Sequence, residues 1–196
     1  MSVEIDICNS ALIKLGAEPI NSLDDDLKEA RLCRIQYPKI RDSVLRSAPW
    51  NFAVKRALLT PVVETLEFGE ADDNIFLLPN NCVRVWKLND GDPQQKYKIE
   101  GNKIICALPE LQLFYVANDV PVSYYDANFK EAVACMLAAD LCYSLTQSAA
   151  LKQGLEGSGE FWINQARSHN SQESTPDDFM FDDFLMARQG GRAFYP

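Results

Sequence analysis

Apolar positions recur along this chain with two different periods. Over the first fifteen residues they return at helical spacing, at Ile5, Cys8, Ala11, Leu12 and Leu15, which predicts an amphipathic helix. Ser2 is its candidate N-cap, Glu4 and Asp6 suit the positive end of its dipole, and Gly16 ends it. After a loop containing Pro19, a second stripe runs through Leu27, Ala30, Cys33, Tyr37, Ile40, Val44 and Ala48, with Asp24, Asp25 and Asp26 as candidate caps. The stripe keeps its phase across Pro38, so that proline is expected to kink the helix rather than divide it, and Pro49 marks the stop.

From about Ala53 to Val120 the period shortens. Residues 81–88, 97–100 and 111–116 are short runs rich in β-branched and aromatic residues, separated by turn residues such as 89–91, 101–102 and 118–119. They predict one antiparallel sheet of hairpins, the clearest spanning Tyr97 to Ala107 with Glu100-Gly101-Asn102-Lys103 at its tip. Helical spacing then returns. Asp126 or Asn128 is positioned to cap a long helix carrying Phe129, Val133, Met136, Leu137, Leu141 and Leu145, apolar over much of its circumference and therefore expected at the centre of the core. A fourth helix is suggested by Leu151, Leu155, Trp162 and Ala166, although Gly154, Gly157 and Gly159 each cost about 1 kcal/mol against alanine. Such glycines have a use where a neighbouring helix or chain approaches closely.

Beyond Ser168 the pattern gives way to a linker composition, followed by Asp-Asp-Phe at 177–179 and again at 182–184. The fold expected is α+β, a bundle of about four helices with an inserted antiparallel β-sheet domain and an extended C-terminal tail. Its boundaries are 1–52 with 124–170 for the helical body, 53–123 for the insertion and 171–196 for the tail. Phe179, Phe181, Phe184, Leu185, Phe194 and Tyr195 make that tail too apolar for a purely solvated end, so it is expected to dock on a partner.

Composition restricts the possible functions. The chain has 196 residues, 47% hydrophobic and 24% charged, with no uninterrupted apolar run approaching the roughly 18 residues of a membrane span. Its N-terminus lacks a basic, then apolar, secretory pattern, so export by that route is not expected. A net charge of −9 repels a phosphate backbone at long range and disfavours DNA gripping as the main task. The six cysteines show no C-x-x-C pair and are expected as buried free thiols.

Catalytic and cofactor chemistry finds little footing. A nucleophilic triad needs a base, and the single histidine, His169, lies beside the linker-like segment. No phosphate-cradling loop is present, because Gly154, Gly157 and Gly159 do not follow a strand, and Asp72-Asp73-Asn74 lacks the later ligands of a calcium loop. No cofactor or metal is expected. Glu160, beside Phe161 and Trp162, is the one carboxylate in an apolar neighbourhood and the best candidate general acid. Charge is also segregated: residues 27–56 carry eight basic and two acidic residues, whereas 57–80 carry five acids and no base. Two readings stand: the charges compensate one another within one molecule, or Arg31, Arg34 and Arg41 facing Glu64, Glu67, Asp72 and Asp73 of a second copy build a head-to-tail contact that closes into a ring.

Several motifs occur in a telling order. They are Cys8-Asn9-Ser10-Ala11-Leu12 through Leu15-Gly16, Ile20-Asn21-Ser22-Leu23, Ala48-Pro49-Trp50-Asn51-Phe52-Ala53, Leu78-Pro79-Asn80-Asn81-Cys82-Val83-Arg84-Val85, Glu100-Gly101-Asn102-Lys103-Ile104 and Phe129-Lys130-Glu131-Ala132. In order and spacing the chain resembles the head-to-tail connector, or adaptor, proteins of short-tailed bacteriophages, the tail tubular protein A family. The resemblance covers residues 5 to about 167 and is weakest after Ser168. It implies a structural virion protein, assembled in the host cytoplasm, that forms a dodecameric ring under the portal, prolongs the DNA channel and carries the tail nozzle. By the resemblance the helices form the ring body, the sheet projects toward the nozzle and the tail docks on the portal. The rival expectation is a small phage cell-wall glycan hydrolase with Glu160 as acid and an acidic loop residue as partner.

Overall fold

The computed structural model describes residues 3–64, 73–89 and 96–173. Helices α1 (Val3–Lys14) and α2 (Lys28–Arg46) precede six strands: β1 (Val54–Leu59), β2 (Asn74–Leu77), β3 (Cys82–Leu88), β4 (Lys98–Glu100), β5 (Lys103–Cys106) and β6 (Leu111–Ala117). A 3-10 turn at Val122–Tyr124 leads into α3 (Ala127–Thr146) and α4 (Ala149–Gln172). The fold is α+β, with the strands inserted between the second and third helices.

Local chemistry explains most of the boundaries. α1 buries Ile7, Cys8, Ala11 and Leu12 and stops at Gly16, whose φ of +70° is the left-handed backbone that glycine adopts without strain. The amides of Gly16 and Ala17 donate to Ile13 and Leu12, both at 3.0 Å, which satisfies carbonyls the last turn leaves open. Ser2, the cap expected for α1, lies outside the described residues. At α2 the expected caps are corrected. Leu27 occupies the N-cap with no side-chain bond, because Asp25 already accepts the amides of Asn21 and Ser22 at 3.0 and 2.9 Å. Its carboxylate closes the preceding turn instead. α2 continues unbroken through the exposed Pro38, as its stripe predicts.

The strands form two antiparallel sheets, not one: β1-β6-β3 and β2-β5-β4. Alternation identifies strands but not partners, and β2 passes over its neighbour β3 to pair with β5. The expected hairpin is present as β4 and β5, turning at Gly101 with φ +61°. The inner faces of both sheets feed one core together with the helices. Phe76, Ile104, Leu111, Leu113 and Tyr115 belong to the same buried cluster as Leu12, Leu45, Phe129 and Leu137.

α3 is the central element, burying ten residues among them Phe129, Val133, Leu137 and Leu141. Asp126 caps it, accepting the Phe129 amide at 3.3 Å. α4, capped by Ser148, packs along α3 at Gly159, where an added Cβ would stand 2.6 Å from the Met136 sulfur. Close approach therefore explains one of the three glycines. Gly154 and Gly157 have nothing within 4 Å of such a Cβ. α4 also runs to Gln172, two residues past the expected end of the helical body at 170. Its polar last turns have partners that a linker would lack, as the next section shows. All six cysteines are free, five buried and Cys82 half-buried.

Candidate functional site

The motif residues quoted above converge on joints between elements. Asn9 in α1 receives the Ile20 amide at 2.8 Å and donates to the Ile20 carbonyl at 2.9 Å, clamping the α1–α2 loop to the helix. Leu78 donates to the Asn102 carbonyl at 2.8 Å, and Asn118 donates to the Asn81 carbonyl at 3.1 Å, so two further motifs hold strand ends together. At the α2–β1 corner, Trp50 is 1% exposed, and its Nε1 donates to the Val44 carbonyl at 3.1 Å. Phe129 stands edge-on to Trp50, Phe52 and Tyr125 with ring centroids 5.0, 5.0 and 4.9 Å away. Trp50 and Phe52 follow directly on Pro49, where the sequence pattern ends the second helix, and so fall at this junction.

The same corner receives the end of α4. The Asn51 amide donates to Asn170 Oδ1 at 2.7 Å, Asn51 Nδ2 to the Asn170 carbonyl at 2.8 Å, and Asn170 Nδ2 to the Pro49 carbonyl at 3.1 Å. Arg167 adds a bond to the Ser47 carbonyl at 2.8 Å. Polar side chains that look like linker in the sequence are the fastening of the last helix. The chain thus leaves α4 directly beside the start of β1.

A second feature escapes sequence reading, the outer face of the β1-β6-β3 sheet. Cross-strand register and alternation put Val54, Arg56 and Leu58 of β1, Gln112, Phe114 and Val116 of β6, and Arg84 and Lys87 of β3 on this face. An irregularity between Val85 and Lys87 inserts Trp86 as the additional residue. A bulge of this kind re-aims side chains, and here Trp86 and Lys87 both reach Phe114. Trp86 meets its ring at 6.3 Å, Lys87 Nζ lies 5.2 Å from it and 4.7 Å from Trp86, and the Arg56 guanidinium stands 4.8 Å over it. Phe114 is only 6% exposed yet lies apart from the central core, being covered by these cations from outside. Leu58 and Trp86 remain exposed beside it, at 61% and 37%. These strand positions include three cations, Arg56, Arg84 and Lys87, on a chain whose net charge is −9. Sequence pattern misses this face because one inserted residue changes which neighbours share a side.

The residues predicted for a subunit contact are placed unequally. Arg31 pairs with Asp26 at 3.1 Å and Arg34 with Asp24 at 3.5 Å, all four largely exposed. Arg41 is instead half-buried, held at 2.8 Å by Asp42, whose other oxygen accepts from Asn118 at 3.2 Å. It belongs to the packing around Tyr37 and Tyr125 and does not present a free cation. Glu64 is paired with Lys103 across the second sheet. Glu67 and Asp72 lie outside the described residues, as do Phe179, Phe181, Phe184, Leu185, Phe194 and Tyr195. Asp73 is half-buried at the start of β2. Glu160 is exposed on α4, so the desolvation on which an acid role depends is not supplied there.

Beside Arg41, burial pushes the Tyr37 phenol upward and raises that of Tyr125 to about 12. Both hydroxyls are enclosed with no hydrogen-bond partner among the described residues. Also among the described residues, no group of three or more potential ligands is arranged to hold a metal, and no helix is long and apolar enough to cross a membrane. No protein-family model and no curated protein matches the chain.

Proposed function

We propose that this chain is a head-to-tail adaptor of the kind found in short-tailed bacteriophages. In this role it is a structural virion component that forms a ring between portal and tail nozzle and prolongs the DNA channel. The observation that supports the reading is the use to which its motif residues are put. Asn9, Ile20, Asn51, Trp50, Asn81, Asn102 and Phe129 serve as fastenings between elements. Residues arranged this way fix the shape of a scaffold, and a mechanical role fits them better than a reacting centre. The acidic balance supports the same reading, because a negatively charged lumen lets a phosphate backbone pass without adhering. The C-terminal segment provides the attachment, with Phe179, Phe181 and Phe184 as anchors for a groove on the portal.

Mass photometry of the purified protein, alone and mixed with its portal, tests the proposal. The expected result is a discrete species of portal with a full ring of added copies, and its loss for a chain ending at Glu173. Absence of any joint species with the intact chain overturns the reading.

A further inference from the structure

We propose that residues 177–182 of this chain add as a fourth strand, parallel to β1, along the open edge of the β1-β6-β3 sheet. This goes beyond the adaptor reading and does not depend on it. The Ala117 amide donates to the Ala53 carbonyl at 2.9 Å, and the register then runs without a break from Val54 opposite Val116 to Leu59 opposite Leu111. In an antiparallel ladder alternate residues bond to the partner strand. Residues 53, 55, 57 and 59 therefore turn their backbone groups toward β6, and Val54, Arg56 and Leu58 turn theirs away. The Val54 amide is taken by the Trp50 carbonyl at 3.0 Å. Among the described residues no strand pairs with the others, the Val54 carbonyl and both backbone groups of Arg56 and Leu58. The opposite edge, β3, is blunted by two register irregularities, whereas β1 is regular along its length and suited to strand addition.

Side-chain alternation fits this segment to that edge. As a strand, Asp178-Phe179-Met180-Phe181-Asp182 sets two phenylalanines on one side and two aspartates with Met180 on the other. β1 is divided in the same way. Ala57 and Leu59 are half-buried against the core, and Arg56 and Leu58 are exposed on the outer side. With Phe179 and Phe181 extending the core past Ala57 and Leu59, Asp178 falls beside Arg56 and Met180 beside Leu58. Reach selects the occupant. Asn170 is fastened to Asn51, and Arg56 lies only five residues further along the chain, at most about 17 Å when extended. Seven residues separate Asn170 from Asp177, enough to span about 23–25 Å. The segment enters at the Asn51 end of β1 and runs toward Leu59, which makes the pairing parallel. A strand tethered that closely meets the edge at high effective concentration, so it outcompetes a second copy in dilute solution. Its aromatic residues are held on their own subunit until a stronger partner draws them away.

Residue-resolved amide hydrogen exchange of the full-length chain tests this. The Arg56 and Leu58 amides, which point to the open edge, should exchange slowly, and so should those of Phe179 and Phe181. Phe179→Pro with Phe181→Pro removes the two amides that donate to the Arg56 and Leu58 carbonyls in this register. Exchange at Arg56 and Leu58 should then quicken about tenfold or more, while the Lys55 and Ala57 amides, which face β6, stay as they were. Both substitutions lie outside the described core, so the fold is expected to persist. Should circular dichroism show that it does not, Asp178→Lys, which sets a like charge beside Arg56, decides in the same way. Arg56 and Leu58 amides that exchange as fast as in a synthetic peptide of residues 53–60 overturn the proposal. So does protection that these variants leave unaltered. Protection that rises with protein concentration overturns the same-chain occupant and assigns the edge to a second copy.

Discussion

Trp50 shows how much of this fold depends on single side chains. It fills the corner where α2, β1, α3 and the end of α4 meet, and its indole nitrogen is satisfied by the Val44 carbonyl. Trp50→Ala should therefore cost about 3–5 kcal/mol, a fall of roughly 10 °C or more in Tm for a chain of this size, measurable by thermal circular dichroism. Tyr125 predicts the opposite. Its hydroxyl is enclosed without a partner among the described residues, so Tyr125→Phe removes a group that gains nothing and should leave stability unchanged or raise it by about 1 kcal/mol. A loss above that size would show a hydrogen bond at the hydroxyl. The thiols and phenols also set an alkaline limit. The hydrogen bond that Cys8 donates to Cys33, together with burial, raises Cys8 while it lowers the accepting Cys33; burial raises Cys82, Cys106 and Cys135 above 9.0, and burial raises Tyr37 and Tyr125 above 10.0. Raised folded values mean that the unfolded chain loses these protons first. Stability from this source is complete below about pH 9 and declines as the pH rises further, so Tm should hold from about pH 7 to 8.5 and fall steadily toward pH 11. A flat profile across that range would contradict the burial. Of these residues, Trp50 is legible in the sequence because Pro49 ends a helix beside it. The unpartnered phenols are not, since pairing is set by residues distant in the chain.

At the scale of elements, α4 makes the sharpest prediction. Gly154 and Gly157 are helical with open space where a Cβ would stand, whereas a Cβ at Gly159 would meet the Met136 sulfur. Alanine at either of the first two should stabilise the protein by about 1 kcal/mol, the ordinary difference in helix propensity. Gly159→Ala should gain less, because Met136 must swing away, and Gly159→Val should lose stability outright. Chemical denaturation of the four variants gives the order directly. Periodicity makes α1, α2, α3 and the start of α4 readable, since α1, α2 and α4 pack against a buried α3. It fails at the end of α4, where Asn170 and Arg167 hold the helix through bonds to Asn51, Pro49 and Ser47. Polar residues with tertiary partners look like linker until the partner is known. The sheets fail differently: alternation finds β3, β4 and β6 but cannot tell that β2 pairs with β5, or that a bulge brings Trp86 and Lys87 to one side.

For the whole molecule, the adaptor proposal comes from ordered motifs and not from composition, which by itself argues only for an acidic chain able to build a core. The charge segregation seen in the sequence still bears on assembly, but with different residues from those first singled out. Arg41 is committed within its own subunit to Asp42, and through it to Asn118, so reversing Arg41 would disturb the fold and reveal nothing about a contact. Arg31 and Arg34 are different. Their side chains are 60% and 55% exposed, and their partners Asp26 and Asp24 are 98% and 86% exposed. Exposed pairs of this kind contribute about 0–1 kcal/mol, so both arginines can exchange an internal partner for a carboxylate on a neighbouring copy at little cost. If such exchanges build the ring, Arg31→Glu with Arg34→Glu should abolish it while the melting temperature of the single subunit stays within a degree or two. Assembly of the unaltered protein should also weaken as salt rises from about 0.05 to 0.5 M, because contacts between exposed charges are screened over roughly 10 Å or less in that range. Mass photometry at each ionic strength follows both effects in one measurement. Rings that form normally from the double variant, and that persist unchanged in salt, would assign these arginines to solvent and place the subunit contact on apolar surface such as Ile13, Ile35 and Tyr143, which the described structure leaves exposed.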